Sequence, residues 1–289
     1  MPTAHELERA LADDLAWASS QLGSEIAEVA VVSPLRGRGR PRAAFRLTLA
    51  DGRRLKLRRM ESPERAAELA RLTGRLCDLG IPRVVLLRAE ALTVEWLDGT
   101  PLREGPGHVD RIEEAARLLG QIHATSGFDG LALPVLRPTA AELLAMQEEL
   151  AILVRKGKLT SDTRERLTAA ARERDPGRAL YGIVHGDFCA ENLVIDGESR
   201  LRVVDNEGLE VGPLARDLAR VWSRWPMPAA AWDRFLAAYR SGGGIHAEDG
   251  DLDVWKLRTL VKSAWYRVTR RLHGDDDALA KLRSLLEGL

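Results

Sequence analysis

The spacing of hydrophobic residues predicts two helices and five strands in the first hundred residues. Helical spacing over about 5–20 predicts an opening helix, and a second helix follows Ser62, a suitable N-cap, with Pro63 at its first position. Short apolar runs bounded by turn residues indicate strands at EVAVVSPL, AAFRLTLADG, RRLKLRRM, RVVLLRAE and ALTVEWLDG. The Asp51-Gly52 pair predicts a tight hairpin, so these strands should form an antiparallel sheet.

Helical patterns dominate the chain from Val109 onward, with one exception. Residues 181–205 contain short strand pieces, YGIVHGD, NLVID and LRVVD, with a hairpin turn at Gly197. We therefore predict an α+β protein with two lobes. A small N-terminal lobe, residues 1–98, should carry the five-stranded antiparallel sheet and a helix, and a larger, mainly helical lobe should comprise residues 99–289.

The composition narrows the possible classes of function. The chain has 289 residues, of which 45% are hydrophobic and 30% charged, and its 43 basic residues balance its 43 acidic ones. A neutral chain has no net field to attract nucleic acid or an anionic membrane, so neither is an expected partner. No apolar run is as long as a membrane span, and the first twenty residues carry several charges, which predicts a cytoplasmic protein. Cys77 and Cys189 are expected to be free thiols.

Three polar side chains between residues 181 and 205 suggest phosphoryl transfer. Asp187 follows an apolar run, Asn192 comes five residues later, and Asp205 ends the strand after the Gly197 turn. A hairpin of that length should bring Asn192 and Asp205 together. Phosphoryl transfer requires a carboxylate that accepts the proton of the attacking hydroxyl, which suits Asp187, and oxygen ligands for Mg²⁺, which suits Asn192 and Asp205. The alternative is that Asp187 and Asn192 only cap turns.

The segments HGDFCAENLVI and LRVVDNEGLEVGPLARDLA resemble the aminoglycoside phosphotransferase and choline kinase-like superfamily. The resemblance implies a protein-kinase-like fold in which Asp187 is the catalytic base, and Asn192 and Asp205 bind magnesium. It also implies structural roles for His185, which braces the loop, and for Asp217, which braces the loops of the site.

The specific part of this resemblance covers about residues 181–220, although both lobes follow in the family's order. Two departures lie within it. The chain has Asp205-Asn206-Glu207 where many relatives have Asp-Trp or Asp-Phe, and VGPL where VGDP is usual. Neither departure removes a catalytic group.

A kinase-like small lobe implies a Lys on the third strand that holds the nucleotide phosphates and pairs with a Glu on the following helix. Lys56 is the only Lys among the first 155 residues and lies on that strand, with Arg58 on the same face as the alternative cation. Glu68 flanks the apolar stripe of the helix and is the expected partner, whereas Glu64 should be exposed.

Two further segments belong to the expected nucleotide site. Gly37 and Gly39 lie in LRGRGRPR, between the first two strands, where a glycine-rich loop would approach phosphates closely. A flexible Arg-rich loop is the alternative reading. VEWLDGTPL resembles the hinge of the family, where backbone groups from Glu95 to Leu97 would meet adenine.

The acceptor-binding residues are harder to predict. The segment DVWKLRTLVKSAWYRVTRRL places Arg258, Lys262 and Tyr266 on successive helical turns, and these residues together with Glu207 are the candidates. A packed surface helix is the alternative. Acidic residues near 248–253 and 275–277 would suit a cationic acceptor, but such runs are usually solvated loops.

We therefore expect a small-molecule phosphotransferase that uses Mg²⁺ and moves the γ-phosphate of ATP or GTP to a substrate hydroxyl. Candidate acceptors are an antibiotic such as an aminoglycoside, a sugar, an amino alcohol or a nucleoside. One alternative is a catalytically silent kinase-like binding protein, although such proteins usually lose the base or a metal ligand. The other is a protein kinase, against which HGD in place of HRD argues. The oligomeric state is not predicted.

Overall fold

The chain divides into two compact units in the computed structural model, which describes residues 4–33, 44–102, 111–128, 130–245, 249–270 and 275–288. The first unit comprises Met1–Thr100 and Val194–Glu207, and the second comprises Pro101–Leu193 and Gly208–Leu289. The sequence predicted a lobe boundary at residue 98. The first unit also contains a later segment that the sequence analysis assigned to the second lobe.

Strands are the more frequent elements up to residue 101, and helices are the longer elements after it. Up to residue 101 the elements are α1 (Ala4–Leu22), β1 (Ile26–Ser33), β2 (Ala44–Leu49), β3 (Arg54–Arg59), α2 (Pro63–Leu76), β4 (Val84–Arg88), β5 (Ala91–Glu95) and β6 (Thr100–Pro101). They are followed by α3 (Ile112–Ala124), β7 (Val135–Pro138), α4 (Ala140–Arg155), α5 (Ser161–Arg174), β8 (Arg178–Val184), β9 (Leu193–Ile195), β10 (Leu201–Val203), β11 (Glu210–Pro213), α6 (Leu214–Arg224), α7 (Ala229–Ser241), α8 (Asp249–Arg270) and α9 (Asp275–Gly288).

The first unit contains the five-stranded antiparallel sheet that the short apolar runs predict. Its strand order is β1-β2-β3-β5-β4, and every pair is antiparallel. The β2–β3 turn contains Gly52 at φ +85°, which a glycine adopts without strain. Helix α2 begins as predicted, because the Ser62 side chain accepts a hydrogen bond from Arg65 N–H at 3.2 Å and Pro63 occupies the first turn.

One face of the sheet packs on α1. The buried residues of this core include Leu47, Leu49, Leu55 and Leu57, all at most 5% exposed. The helix is also held by the nearly fully buried carboxylate of Asp14, which accepts from Arg59 at 2.7 Å and from Arg88 at 2.8 Å. A buried carboxylate needs such partners, because desolvation would otherwise destabilise its charged form.

The β9–β10 hairpin forms around Gly197 and accounts for the assignment of Val194–Glu207 to the first unit. Strand β10 is anchored by Val203 N–H, which donates to the Gly80 carbonyl at 3.3 Å. Strand β9 lies against Gly99, where a side chain would not fit, because a Cβ atom there would lie 2.5 Å from the Ile195 carbonyl oxygen. The structure therefore places Asp205, at the end of this hairpin, in the unit that carries Lys56.

The second unit is mainly helical and includes the sheet β11-β8-β7. Helix α8 packs against α4, α5, α6 and α9, and α3 packs against α7. Strand β8 carries the buried residues Ile183 and Val184 and leads directly into His185. The mixed α+β class is thus confirmed. Among the described residues, no helix has the length and apolar character of a membrane span.

Candidate active site

A cavity of about 310 Å³ lies within the first unit and is large enough for a purine ring. We call it the nucleotide pocket, after the ligand that the sequence resemblance implies. Apolar side chains from β5 and the β9–β10 hairpin contribute to its walls, among them Val94, Val194 and Val204. Charged side chains also line it, and these are Lys56, Arg58, Glu95, Asp205 and Glu207. The pocket therefore combines surface for an apolar ring with cations for an anionic ligand.

Lys56 and Arg58 project from one face of β3 and converge on Glu207. Lys56 Nζ lies 2.6 Å and Arg58 Nη1 2.5 Å from the same Glu207 oxygen, and Lys56 Nζ also lies 3.3 Å from Asp205 Oδ1. Leu55 is buried on the opposite face of the strand. Burial alone would raise the pKa of Glu207, but the charges of Lys56 and Arg58 outweigh it and lower that pKa to about 2.

Glu68 does not pair with Lys56 as the sequence analysis expects. Its carboxylate accepts a hydrogen bond from Arg65 on the same helix at 2.5 Å. Arg65 also donates to the main-chain oxygen of Glu207 at 2.9 Å. The acidic partner of the strand cations is thus Glu207, which follows β10, whereas α2 contributes an arginine that orients the Glu207 backbone. Sequence alone does not distinguish these arrangements, because Glu68 has an arginine three residues away.

The predicted hinge borders the nucleotide pocket, since Glu95, Trp96 and Leu97 all contribute to its lining. Glu95 N–H donates to the Arg83 carbonyl at 3.0 Å, and Trp96 N–H donates to the Arg54 carbonyl at 3.2 Å. Leu97 makes no backbone hydrogen bond to any residue that the structure describes. Its N–H and C=O are therefore free to bind the polar edge of a ring in the pocket.

Asp205 has an unusual backbone for a residue with a side chain. Its φ is +60°, in the left-handed region, which residues other than glycine adopt at a cost. Its side chain is 52% exposed. Partial burial and the neighbouring Glu207 carboxylate raise the pKa of Asp205, although Lys56 opposes this effect.

The second unit carries the segment His185–Asn192, which we call the HGD loop. It leaves β8 at Val184, and its first two N–H groups donate to one carboxylate: His185 N–H to Asp217 Oδ2 at 2.6 Å and Gly186 N–H to Asp217 Oδ1 at 2.8 Å. Gly186 has φ +82°, a conformation that favours glycine. The position of Asp187 in the turn that follows is therefore set by Asp217.

Asp217 is fully buried and belongs to a hydrogen-bonded chain that the sequence analysis did not identify. His123 Nε2 lies 3.2 Å from Asp217 Oδ2, and His123 Nδ1 lies 2.8 Å from the Tyr239 hydroxyl. Burial alone would raise the pKa of Asp217, but the hydrogen bond and charge of His123 outweigh it and lower that pKa to about 2. His185 is also buried and braces the loop, with its Nδ1 3.3 Å from Asp187 N–H.

The Asp187 carboxylate contacts three side chains of the second unit. Asn192 Nδ2 donates to the Asp187 carbonyl at 2.8 Å and lies 3.3 Å from Oδ2. Arg220 Nε donates to Oδ1 at 2.8 Å, and Arg224 Nη1 lies 3.7 Å from the same oxygen. Neither arginine is among the site residues predicted from the sequence. Their spacing from Asp217, three and seven residues, was the available signal, because it places all three residues on one helical face.

Each unit, taken by itself, has an oxygen donor of the kind that a magnesium ion binds. Asn192 uses its amide nitrogen to bind Asp187, and its oxygen accepts no hydrogen bond from the residues described. Asp205 offers a partly exposed carboxylate. No cluster of three His, Cys, Asp or Glu residues that would hold a metal occurs in the described part of the chain. An amide and a carboxylate nevertheless suit Mg²⁺, which keeps waters and takes nucleotide phosphates as its other ligands.

The predicted acceptor residues fall into different environments. Arg258 is 6% exposed and pairs with the Glu149 carboxylate, with Glu142 3.4 Å away, so it is a buried structural residue. Tyr266 is 45% exposed and stacks with Arg270. Glu207 lies in the nucleotide pocket of the first unit.

Lys262 is the remaining acceptor candidate on α8. Partial burial and the charges of Arg216 and Arg258 lower its pKa. This environment does not by itself identify a ligand. The predicted phosphate-loop residues Gly37 and Gly39 lie outside the described residues, as does Glu248.

A kinase-like phosphotransferase is the class that this fold, the nucleotide pocket and the HGD loop define. The chain matches the phosphotransferase enzyme family over residues 31–275 and belongs to it. The recognition made from the two sequence segments is thereby confirmed. A search of curated proteins found no match.

Several solved structures share this fold at low sequence identity. A macrolide 2′-phosphotransferase from Brachybacterium faecium is 20% identical, with 93% of this chain and 97% of that chain covered and a TM-score of 0.65. A choline kinase from Streptococcus pneumoniae is 13% identical, with 98% and 99% covered and a TM-score of 0.70. An aminoglycoside-3′-phosphotransferase of type VIII is 20% identical, with 85% and 98% covered and a TM-score of 0.58.

Proposed function

We propose that this protein transfers the γ-phosphate of ATP or GTP to a hydroxyl group of a small molecule. The observation that carries the proposal is the construction of the HGD loop. Its Asp187 carboxylate is partly exposed, and its backbone is anchored to the fully buried Asp217. A turn that is only structural would not need a buried ionic network to orient a surface carboxylate.

Residues of the first unit are proposed to bind the nucleotide. Leu97 would bind the polar edge of the base through its backbone groups, and the apolar walls of the pocket would hold the ring. Lys56 and Arg58 would neutralise the phosphates. Glu207 contacts both cations and thereby positions their side chains at the pocket.

Asp187 is proposed to accept the proton of the attacking hydroxyl. The hydroxyl oxygen forms a bond to the γ-phosphorus while the bond from that phosphorus to the β–γ bridging oxygen breaks. The products are a phosphate monoester and a nucleoside diphosphate. Asn192 holds the Asp187 carboxylate and main chain in place through its amide nitrogen.

Asn192 and Asp205 are the proposed magnesium ligands. A bound magnesium ion supplies charge neutralisation on the phosphate oxygens. The left-handed backbone of Asp205 and its contact with Lys56 support this proposal. A catalytically silent protein is the alternative, and the retention of Asp187, Asn192 and Asp205 argues against it.

The proposal is tested by ADP or GDP release in the presence of Mg²⁺ across hydroxyl compounds of different charge. The panel includes macrolides, choline and aminoglycosides, because the similar structures carry those names. Asp187→Ala should abolish turnover and still bind nucleotide, whereas Lys56→Met should weaken nucleotide binding. Asp233→Asn, an exposed change on α7, is the control.

Nucleotide binding is measured separately, by calorimetry with ADP and Mg²⁺. Binding together with turnover that Asp187→Ala removes would support the proposal. Binding without turnover on any acceptor would favour the silent protein. Absence of nucleotide binding would refute the proposed role of the pocket.

A further inference from the structure

Two arginines on α6 converge on the carboxylate that is proposed to act as base. Arg220 Nε donates to Asp187 Oδ1 at 2.8 Å, and Arg224 Nη1 lies 3.7 Å from the same oxygen. Arg224 Nη2 also lies 3.9 Å from the Cys189 sulfur. Within the described part of the chain, neither guanidinium has another carboxylate within 4 Å. The Asp187 carboxylate therefore faces two guanidinium groups.

The placement of these arginines is not explained by helix stability alone. A cation at the C-terminus of a helix is stabilised by the helix dipole, which accounts for Arg224 as the last residue of α6. Arg220 lies one turn earlier, and like charges four residues apart repel each other. Both side chains nevertheless point to the HGD loop, on the face that Asp217 anchors to that loop. A well-anchored helix thus holds two guanidiniums beside the reacting position.

Most of the hydrogen-bond donors on these guanidiniums remain available to a ligand. Arg220 uses Nε for Asp187, and its two terminal nitrogens donate to none of the residues described. Among the residues that the structure describes, Arg224 makes only the two long contacts to Asp187 and Cys189. Their side chains are 25% and 34% exposed, so solvent and small ligands reach them. Planar guanidiniums with free donors suit bidentate binding of a carboxylate or phosphate.

We propose that Arg220 and Arg224 form an oxyanion subsite beside Asp187, and that the acceptor is a hydroxyl compound with a carboxylate or phosphate near the reacting hydroxyl. This assignment of the acceptor class rests on the proposed function, because it requires Asp187 to face the hydroxyl. An acceptor oxyanion replaces Asp187 as the partner of Arg220. Asp187 Oδ1 is then free to accept the hydroxyl proton. A neutral acceptor leaves the Arg220–Asp187 ion pair intact, and a cationic acceptor is repelled by both arginines.

The subsite is first tested without catalysis, by calorimetric titration of inorganic phosphate into the full-length protein without nucleotide. Arg220→Gln/Arg224→Gln should weaken phosphate binding at least about tenfold, since hydrogen bonds to charged groups are worth that much. Arg234→Gln is the matched control, because Arg234 is 54% exposed on α7. Lys56→Met tests whether the phosphate binds in the nucleotide pocket instead, and phosphate binding should survive this change. Unchanged phosphate binding in the double glutamine variant would overturn the subsite.

The acceptor class is tested with pairs of compounds that differ only in the anion, such as glycerate and glycerol, or glycerol 3-phosphate and glycerol. The wild-type protein should prefer the anionic member of each pair. The double glutamine variant should raise the KM of the anionic acceptor at least about tenfold, leave the KM of the nucleotide unchanged, and reduce the preference. Arg220→Lys/Arg224→Lys keeps the charge without the planar fork and should show an intermediate preference.

Other outcomes separate the possible sources of the oxyanion. If the double glutamine variant raised the nucleotide KM and left the acceptor preference unchanged, the arginines would serve the transferred phosphoryl group and the acceptor class would be wrong. If no acceptor were phosphorylated, the proposed function would fail on this panel, and the phosphate titration would still decide the subsite. Circular dichroism and the melting temperature of each variant distinguish loss of binding from loss of folding.

Discussion

The anchoring of the HGD loop by Asp217 leads to a quantitative expectation for Asp217→Asn. The wild-type carboxylate accepts from two main-chain N–H groups, of His185 and Gly186, and lies 3.2 Å from His123 Nε2. An asparagine keeps one acceptor oxygen and turns an NH₂ group toward one of these donors, which is then left without a partner. A buried donor without a partner and weaker remaining bonds should together lower the free energy of unfolding by about 2–4 kcal/mol.

The same network makes this loss depend on pH. The pKa of Asp217 is lowered from 3.8 to about 2 in the folded protein, which corresponds to roughly 2 kcal/mol of stability from ionisation. Because the folded pKa is lower than the unfolded one, this contribution is fully present above about pH 4. It is lost as the pH falls through about 2, and the carboxyl group is protonated in both states only below that pH. The difference in the free energy of unfolding between the wild-type protein and Asp217→Asn should therefore become smaller as the pH falls over that range.

Urea unfolding followed by circular dichroism, from pH 2 to pH 7, measures this difference. Asp233→Asn provides the matched control, because Asp233 is exposed on α7, and its effect should stay within about 0.5 kcal/mol. ADP release at pH 7 should fall in Asp217→Asn, since the HGD loop loses its anchor while Asp187 remains. A stability difference below about 1 kcal/mol at pH 7, or one that does not change with pH, would refute the assigned role of Asp217.

Three further changes test other parts of the structure. Gly99→Ala places a Cβ atom 2.5 Å from a backbone oxygen of β9, so it should destabilise the first unit by about 1–3 kcal/mol and weaken ADP binding in calorimetry. Gly197→Ala, where a Cβ atom would have no neighbour within 4 Å, is the control and should have neither effect. Asp14→Ala leaves two arginines without their buried partner and should lower the free energy of urea unfolding by about 2–4 kcal/mol, and a change below 1 kcal/mol would contradict this. Arg258→Met leaves Glu149 buried without its partner and should lower the free energy of unfolding by about 3–5 kcal/mol, and adding Glu149→Leu to this variant should restore most of the loss. A rise in the KM of the acceptor without loss of stability would instead place Arg258 at the substrate.

Much of the fold was predictable because the decisive signals are local. Short apolar runs bounded by turn residues predicted the five strands of the first unit, and Ser62 with Pro63 predicted the start of α2. A lobe boundary at residue 98 was a prediction from the change of pattern. The sequence did not predict that Val194–Glu207 belongs to the first unit, because this depends on the close approach of the β9–β10 hairpin to Gly99.

The sequence by itself determined which chemical groups are present and which of them are close along the chain. The spacing of Asp187 and Asn192 places a carboxylate and an amide on one short loop, and Lys56 lies on a strand whose register follows from its apolar neighbours. These relations are set by backbone geometry over a few residues. They required no knowledge of distant contacts.

Only the tertiary structure decided which charges pair. Arg58 meets Glu207, 149 residues away, while Glu68 stays with Arg65 on its own helix. Asp217 meets His123 across 94 residues, and Arg220 meets Asp187 across 33. In each case several oppositely charged groups were available, and the choice depended on which backbone segments pack together and on how far each side chain is removed from water.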